Sequence, residues 1–317
     1  MNMLTDKMEL YKIRTFSELL TDTFAFTKRN FKPLLSGLFY IVSPALLASV
    51  VFGFFLWSKY FGFYQTMIMP GQDSYNAGKE LVTNVFFYMI PTCFFLYISF
   101  SLIIAVTFSY IKLYANNQDR KPTVSELWQL SRKYIWKILG AQLFLFFIFV
   151  MAYTVCIIPL FAGSIGVFLA VILFFAFLFL IIFYSIKLSF FSLFIVIEDE
   201  GIMQSFSLSY QFTKGIFWKT LGFMFVLGLI VGIASNILQL PGMLISSGAV
   251  ISGLVRQSDG DNSFLILLGS ALTAVGMAIA YLLYSVVFIG QSLLYFSEME
   301  QEYGIAANQE IEEIGKN

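Results

Sequence analysis

Histidine is absent from all 317 residues, so the commonest general base and metal ligand of protein chemistry is missing. Charge is scarce as well. Asp, Glu, Lys and Arg make up 12% of the chain, against about 25% in soluble globular proteins, and 59% of residues are hydrophobic, with a mean hydropathy of +0.81. Water is the wrong solvent for that balance. The 19 basic and 19 acidic residues cancel, which leaves no polycation to hold nucleic acid through counterion release. Only two cysteines occur, Cys93 and Cys156, both inside apolar runs where a thiol serves as a small hydrophobe, so a disulfide is not expected. Residues 1–32 alternate charge with aromatics and lack the apolar stretch of a cleavable leader. Phosphate-binding loops, nucleophile elbows and zinc-protease motifs are missing too. These absences predict no catalytic residue, no cofactor and no metal site.

What the chain does have is long uncharged stretches. An ionised side chain at mid-bilayer costs about 3 kcal/mol or more, so gaps between successive charges mark where the chain can cross. Five long gaps lie between Lys32 and Lys59, Glu80 and Lys112, Lys137 and Lys187, Lys219 and Arg256, and Asp261 and Glu298. The third holds 49 residues, or about 70 Å as helix, over twice a hydrocarbon core of about 30 Å. It must be a hairpin, with its bend at Pro159–Gly166, where a proline and two glycines punctuate the run. Six spans follow, with approximate cores Leu34–Trp57, Val85–Lys112, Ile138–Leu160, Gly166–Ile186, Thr220–Leu240 and Phe264–Phe288. Runs apolar on all sides exclude the alternating strands of a barrel. Pro44, Pro91, Pro159 and Pro241 are expected to kink or end spans. Gly269, Ser270, Ala271, Thr273, Ala274, Gly276, Ala278 and Ala280 cluster on the last span as a packing seam within the chain, the leading reading, or as a dimer contact or the wall of a path. The path of 242–263 is left open.

Lysine and arginine distribution sets the expected orientation, because cytoplasmic flanks retain these residues. Six fall in the N-terminal arm (Lys7, Lys12, Arg14, Lys28, Arg29, Lys32), six between spans 2 and 3, three between spans 4 and 5 and one in the tail, against Lys59, Lys79 and Arg256 on the opposite side. Both termini are therefore expected in the cytoplasm, with the acidic tail (Glu298, Glu300, Glu302, Glu310, Glu312, Glu313) carrying little weight in the rule.

The chain also repeats itself. An offset of 82 residues brings Ser125–Gly140 onto Ser207–Gly222 with six of sixteen positions identical, among them Gln129/Gln211, Trp136/Trp218, Lys137/Lys219 and Gly140/Gly222. The same offset carries Pro159 onto Pro241, Ser164 onto Ser246 and Gly166 onto Gly248. A weaker third copy, Phe26–Gly37, precedes span 1, and Phe108-Ser-Tyr-Ile-Lys-Leu113 echoes Phe183-Tyr-Ser-Ile-Lys-Leu188. The predicted fold class is an all-α integral membrane protein: six transmembrane helices as three hairpin repeats with interfacial amphipathic elbow helices. One membrane domain covers the chain, divided into an arm at 1–33, hairpins at 34–113, 123–197 and 203–297, and a tail at 298–317.

Each elbow mixes aromatic rings with cations, the combination that settles at a headgroup boundary. Two readings stand: an anchor that sets where the next span begins, or a headgroup contact made by Lys28, Arg132, Trp136, Lys137, Lys214, Trp218 and Lys219. Lys112 and Lys187 read as boundary markers whose stems let the amine reach water. Glu198-Asp199-Glu200 offers three carboxylates to a divalent cation, or forms a solvated turn closing the apolar stretch Leu188–Ile197, with Gly201 ending one helix and Ser205 or Ser207 starting the elbow.

The stretch Phe194–Gly222 has an acidic residue and glycine after span 4, a serine-containing amphipathic helix, and Lys214-Gly-Ile-Phe-Trp218 at the next span. In this it resembles a group of uncharacterised bacterial multi-pass proteins similar to the membrane domain attached to some glycerophosphodiester phosphodiesterases. The resemblance implies a bacterial cytoplasmic (inner) membrane address. Phosphodiesterase activity belongs to a separate soluble domain of that family and is not implied for a chain without histidine. The leading expectation is a non-enzymatic accessory or scaffold module, in contact with the lipid bilayer and with a protein partner or a second copy. The alternative is a permease for a lipid or other amphipathic molecule without ion coupling, which would need a polar cavity near Tyr153, Thr154, Ser235 and Asn236.

Overall fold

A computed structural model of the chain describes residues 8–68, 74–116, 121–256 and 263–304. Lys7 and Arg120 of the basic count, and Glu310, Glu312 and Glu313 of the tail, lie outside the described residues. Among the described residues every regular element is helical: α1 (Phe16–Arg29), α2 (Phe31–Ile68), α3 (Ser74–Asn116), α4 (Val124–Ile157), α5 (Gly163–Lys187), α6 (Phe191–Ile197), α7 (Ile202–Arg256) and α8 (Ser263–Tyr303), with a short 3₁₀ turn at Ile158–Ala162. Six of them are long and apolar enough to cross a membrane. The chain is a multi-pass membrane protein.

Local chemistry explains where several helices begin and end. Thr15 and Thr123 cap α1 and α4: each threonine oxygen accepts from the N–H three residues on, and the glutamates Glu18 and Glu126 accept in return from the cap N–H. The 3₁₀ turn between α4 and α5 carries Pro159 and closes on Gly163 at φ +73, a conformation that costs glycine nothing. The apolar stretch after Lys187 does not continue α5. Leu188–Phe190 forms a turn and α6 starts at Phe191, its end marked by Asp199 at φ +59. α7 begins at Ile202, earlier than Ser205 or Ser207; the Ser205 hydroxyl donates back to Gly201 C=O at 2.8 Å.

Pro44, Pro91 and Pro241 all lie inside continuous helices. The break in α7 falls instead at Ile216 (φ −117, ψ 20), next to Gly215, where helix propensity is low. At 55 residues α7 is about 80 Å long, so the segment before this break and the segment after it cannot both lie inside one bilayer core. The helix also extends through most of the stretch whose path the sequence leaves open, as far as Arg256.

The chain forms two compact units, one from Met1–Phe31, Ile104–Val226 and Phe288–Asn317, the other from Lys32–Ile103 and Leu227–Val287. In the first, the N-terminal arm is folded around a buried Arg14, whose Nε donates to Asp22 Oδ2 at 2.8 Å and whose Nη1 donates to Leu10 C=O at 2.7 Å. Arg14 N–H donates to Ser297 Oγ and Met8 N–H to Tyr114 Oη, tying the arm to α8 and α3. Arg14 is thus a core residue of this unit, not a surface cation of the arm. The α4–α5 hairpin is its opposite: 6% and 11% of the apolar windows of these two helices are buried, against 50% in α3. Phe161, Phe168, Phe175 and Phe179 all point away from the protein, a surface that only lipid or another apolar partner can cover.

In the second unit α7 and α8 pack almost backbone to backbone. A Cβ on Gly269 would stand 2.7 Å from Gly242 O and Ser246 N, and one on Gly276 would stand 2.5 Å from Leu238 O. The small residues of α8 are therefore a packing seam inside the chain. Replacing Gly269 with Val should separate the two helices and cost about 3 kcal/mol. Gly228→Ala, with open space around its Cβ, should be neutral or stabilising by up to about 1 kcal/mol, as alanine is the better helix former. Thermal unfolding of the purified chain in detergent reads both, and equal melting of the two variants would contradict the seam.

Candidate functional site

Three lysines, Lys112, Lys133 and Lys137, converge on the turn after α6. Backbone carbonyls left unpaired at the end of a helix need donors, and two lysines supply them here: Lys112 Nζ donates to Val196 C=O at 2.7 Å and Lys137 Nζ to Glu200 C=O at 3.3 Å. Lys112 also donates to Tyr134 Oη at 3.1 Å. The ammonium groups of Lys133, Lys112 and Lys137 stand 5.1, 5.3 and 5.9 Å from the Tyr134 ring, within range of its negative face. Lys112 therefore spends its donors inside the protein instead of reaching outward to water.

The three neighbouring carboxylates are pulled apart. Glu198 accepts from Tyr295 Oη at 2.6 Å, Asp199 pairs with Lys133 and lies 3.8 Å from Lys137, and Glu200 faces a cleft. No group of three or more metal-ligating side chains forms among the described residues. The hydrogen bond from Lys133 holds the Asp199 carboxyl below the usual carboxylate range, helped by the charges of Lys133, Lys112 and Lys137 and opposed by partial burial.

The cleft has a volume of about 1080 Å³. Glu198, Glu200, Glu298 and Glu302 contribute four carboxylates to its wall, Lys214 is the one cation among its lining residues, and Phe194, Phe212 and Met299 make an apolar floor. Lys219, one turn beyond the break in α7, pairs with Glu298.

The residues singled out from the sequence do not meet in one place. Lys137 and Lys219 turn inward onto Glu200, Asp199 and Glu298. Lys28 and Arg132 are exposed, Lys214 stands exposed at the cleft, and Trp136 and Trp218 project outward at 76% and 78% exposure. Tyr295, Tyr134 and Glu302 were not among the candidates. Tyr295 follows the apolar pair Leu293-Leu294 and Tyr134 lies between Lys133 and Lys137 in the basic elbow, and each becomes informative only once its partner is known.

Residues 124–295, more than half of the chain, match a family described as a domain of unknown function (DUF7847). The chain belongs to that family. The matched segment begins at the first residue of α4 and ends at Tyr295, so the DUF7847 region contains Tyr134, Asp199 and the α7 wall of the cleft, while Glu298 and Glu302 lie beyond it. No curated protein and no solved structure matches the chain.

The Asp199 contacts carry a pH signature. A carboxyl whose folded value is depressed stabilises the fold fully above its unfolded value, about 3.9, and loses that contribution as pH falls through the lower folded value. Asp199→Asn should therefore lower stability at pH 6 and flatten its decline between about pH 4 and pH 2. Urea unfolding across that range measures it, and parallel curves for the two proteins would show that Asp199 is not coupled to folding.

Proposed function

We propose that the chain is a non-catalytic accessory module of a bacterial cytoplasmic membrane that receives a basic segment of a protein partner in its acid-lined cleft. The observation that carries this reading is the cleft itself, whose wall has four carboxylates, one of them paired with Lys219, and one lining lysine over an apolar floor. Opposite charge steers encounter and fixes register, and the apolar floor offers a place for the stem of a lysine or arginine to lie. The resemblance to bacterial multi-pass membrane domains and the sixteen-to-three division of lysine and arginine support an inner-membrane address with both termini and the cleft on the cytoplasmic side.

Three hairpins, each led by an interfacial elbow, complete the proposal. Its support is a pattern shared by the starts of α1 and α4 and the first turns of α7. Thr15-Phe-Ser-Glu-Leu19 parallels Thr123-Val-Ser-Glu-Leu127, with the same capping box. In this register Leu19, Leu127 and Ser209 are all fully buried, as are Thr23, Ser131 and Thr213 four residues later. The first copy then sits four residues away from the one suggested by Phe26-Thr-Lys. α1 is separate from α2, and α7 breaks at Ile216 between elbow and span, whereas α4 runs unbroken from Val124 to Ile157.

A permease for lipids or other amphipathic molecules is the second reading, favoured by an aromatic cavity of about 460 Å³ lined by Cys93, Tyr97, Phe100, Tyr281 and Tyr284. The polar groups expected to line a path support it less. Thr154 Oγ1 donates to Val150 C=O and Asn236 Nδ2 to Gly232 C=O, each on its own helix.

Mild-detergent purification of the full chain should recover a stoichiometric protein partner, and Glu200→Lys with Glu302→Lys should reduce its retention at least about tenfold. Repeated recovery of the chain alone, or a partner held equally by the charge-reversed protein, would overturn the accessory reading. Labelling from the outer face of a single cysteine placed at Lys133 would overturn the orientation.

A further inference from the structure

We propose that Lys187 is the centre of a binding site for a phosphate group, completed by Lys214. The site goes beyond the accessory reading and does not rest on it.

Lys187 ends α5 and is 5% exposed. Three rings surround its ammonium, with Tyr210 at 4.9 Å, Phe217 at 5.7 Å and Phe183 at 6.0 Å. Aromatic faces attract a cation but accept none of its three N–H donors in a conventional bond. Among the described residues the ammonium has no hydrogen bond and no carboxylate within ion-pair distance. The charged side chain that acts on it is a second cation, Lys214. Three rings restrict the water that can reach this ammonium, and an anion can supply the acceptors that the protein does not.

The sister motif provides a comparison within the same chain. Lys112 occupies the matching position in Phe108-Ser-Tyr-Ile-Lys-Leu113 and likewise faces a ring, 5.3 Å from Tyr134. Its donors are filled by Val196 C=O and Tyr134 Oη. At equivalent positions, the protein completes the coordination of Lys112 and leaves that of Lys187 open.

Lys187 is also held in place. Ser209 Oγ donates to Lys187 C=O at 2.9 Å and accepts from Phe190 N–H at 3.1 Å, while Thr213 Oγ1 lies 3.2 Å from the same carbonyl. Both side chains are fully buried. They clamp the end of α5 to α7 and thereby set Tyr210, Lys214 and Phe217, which lie on the next turns of α7, around the ammonium. Access remains, because Lys187 Nζ is not among the sealed unpaired polar atoms of the described residues, and Lys214, whose charge acts on it, is exposed. Lys187, with no acid paired to it, calls for an anion with several acceptor oxygens, and Lys214, which also lines the acid-rich cleft, adds a second positive charge. A phosphate meets that need whether it is free or carried by a lipid whose apolar part lies along the exposed spans.

The experiment uses the full chain in neutral detergent with two probes, phosphatidylglycerol in mixed micelles followed by native mass spectrometry, and inorganic phosphate followed by titration calorimetry. Wild type should bind one phosphatidylglycerol, with affinity falling about tenfold in Lys187→Met, about threefold in Lys214→Ala and little in Lys187→Arg. Without either probe, Lys187→Met should melt higher than wild type, and phosphatidylglycerol should raise the melting temperature of wild type alone. A lysine needed only for packing would behave in the opposite way. Binding of phosphatidylglycerol alone assigns the site to a lipid headgroup, and binding of inorganic phosphate with the same dependence on Lys187 assigns it to free phosphate. Equal binding by wild type and Lys187→Met, or no binding of either probe by wild type, overturns the site. Should Lys187→Met fail to fold, the exposed Lys214→Ala decides, and an unchanged affinity there also overturns it.

Discussion

A buried charge or carbonyl must find a partner, and in this chain that requirement is met by lysine side chains reaching across helices. Lys112 and Lys137 fill the carbonyls at the end of α6, Lys133 pairs with the acid that follows, and Tyr134 lies under all three ammonium groups. The short α6 could not hold its position by its own hydrogen bonds, since seven residues form barely two turns. Its place is set by these lysines and by Tyr295, which donates to Glu198 from α8. The cleft exists because this turn stands where it does: Glu198 and Glu200 reach its wall from one side and Glu298 and Glu302 from the other.

The apolar helices follow a different rule. Their side chains gain nothing by association that lipid would not also supply, so close approach depends on small residues and shape. The α7–α8 seam of the second unit, with Gly242, Gly269 and Gly276 in near contact with the opposing backbone, is built in this way. Phe52 on Phe95 and Phe55 on Tyr88 do the same work between α2 and α3 through stacked rings. The α4–α5 hairpin has no such seam on its outer faces and meets the bilayer with phenylalanine, leucine and isoleucine nearly all round. One unit thus concentrates ion pairs and buried polar contacts, and the other relies on packing. That division fits a module in which charge chemistry is confined to helix ends and the spans only hold them there.

Much of the architecture was legible in the sequence because the cost of placing charge in hydrocarbon acts residue by residue. Gaps between lysines and acids mark the spans, and Pro159 with Gly163 marks the hairpin bend. The candidate site was legible only in part. Lys137 and Lys219 look the same in sequence as Lys28 and Arg132, next to aromatic residues ahead of a span, yet the first two turn inward to carboxylates and the last two face outward. Likewise Lys112 and Lys187 share one motif and differ in whether a carbonyl from another helix lies within reach. The breaks in the helices were also hidden, because the proline in α7 is absorbed without interruption while Ile216, a residue with no local signal of its own, departs from helical geometry.

Composition and charge spacing by themselves determined that the chain is helical, lies in a membrane and crosses it in long apolar segments, since those properties depend on each residue's transfer between water and oil. Which side chains meet depended on the three-dimensional arrangement. A hydrogen bond needs its donor and acceptor within about 3 Å of each other, and residues such as Lys112 and Val196, Tyr295 and Glu198, or Lys187 and Lys214 reach that proximity, or the electrostatic range beyond it, only when separate helices have packed.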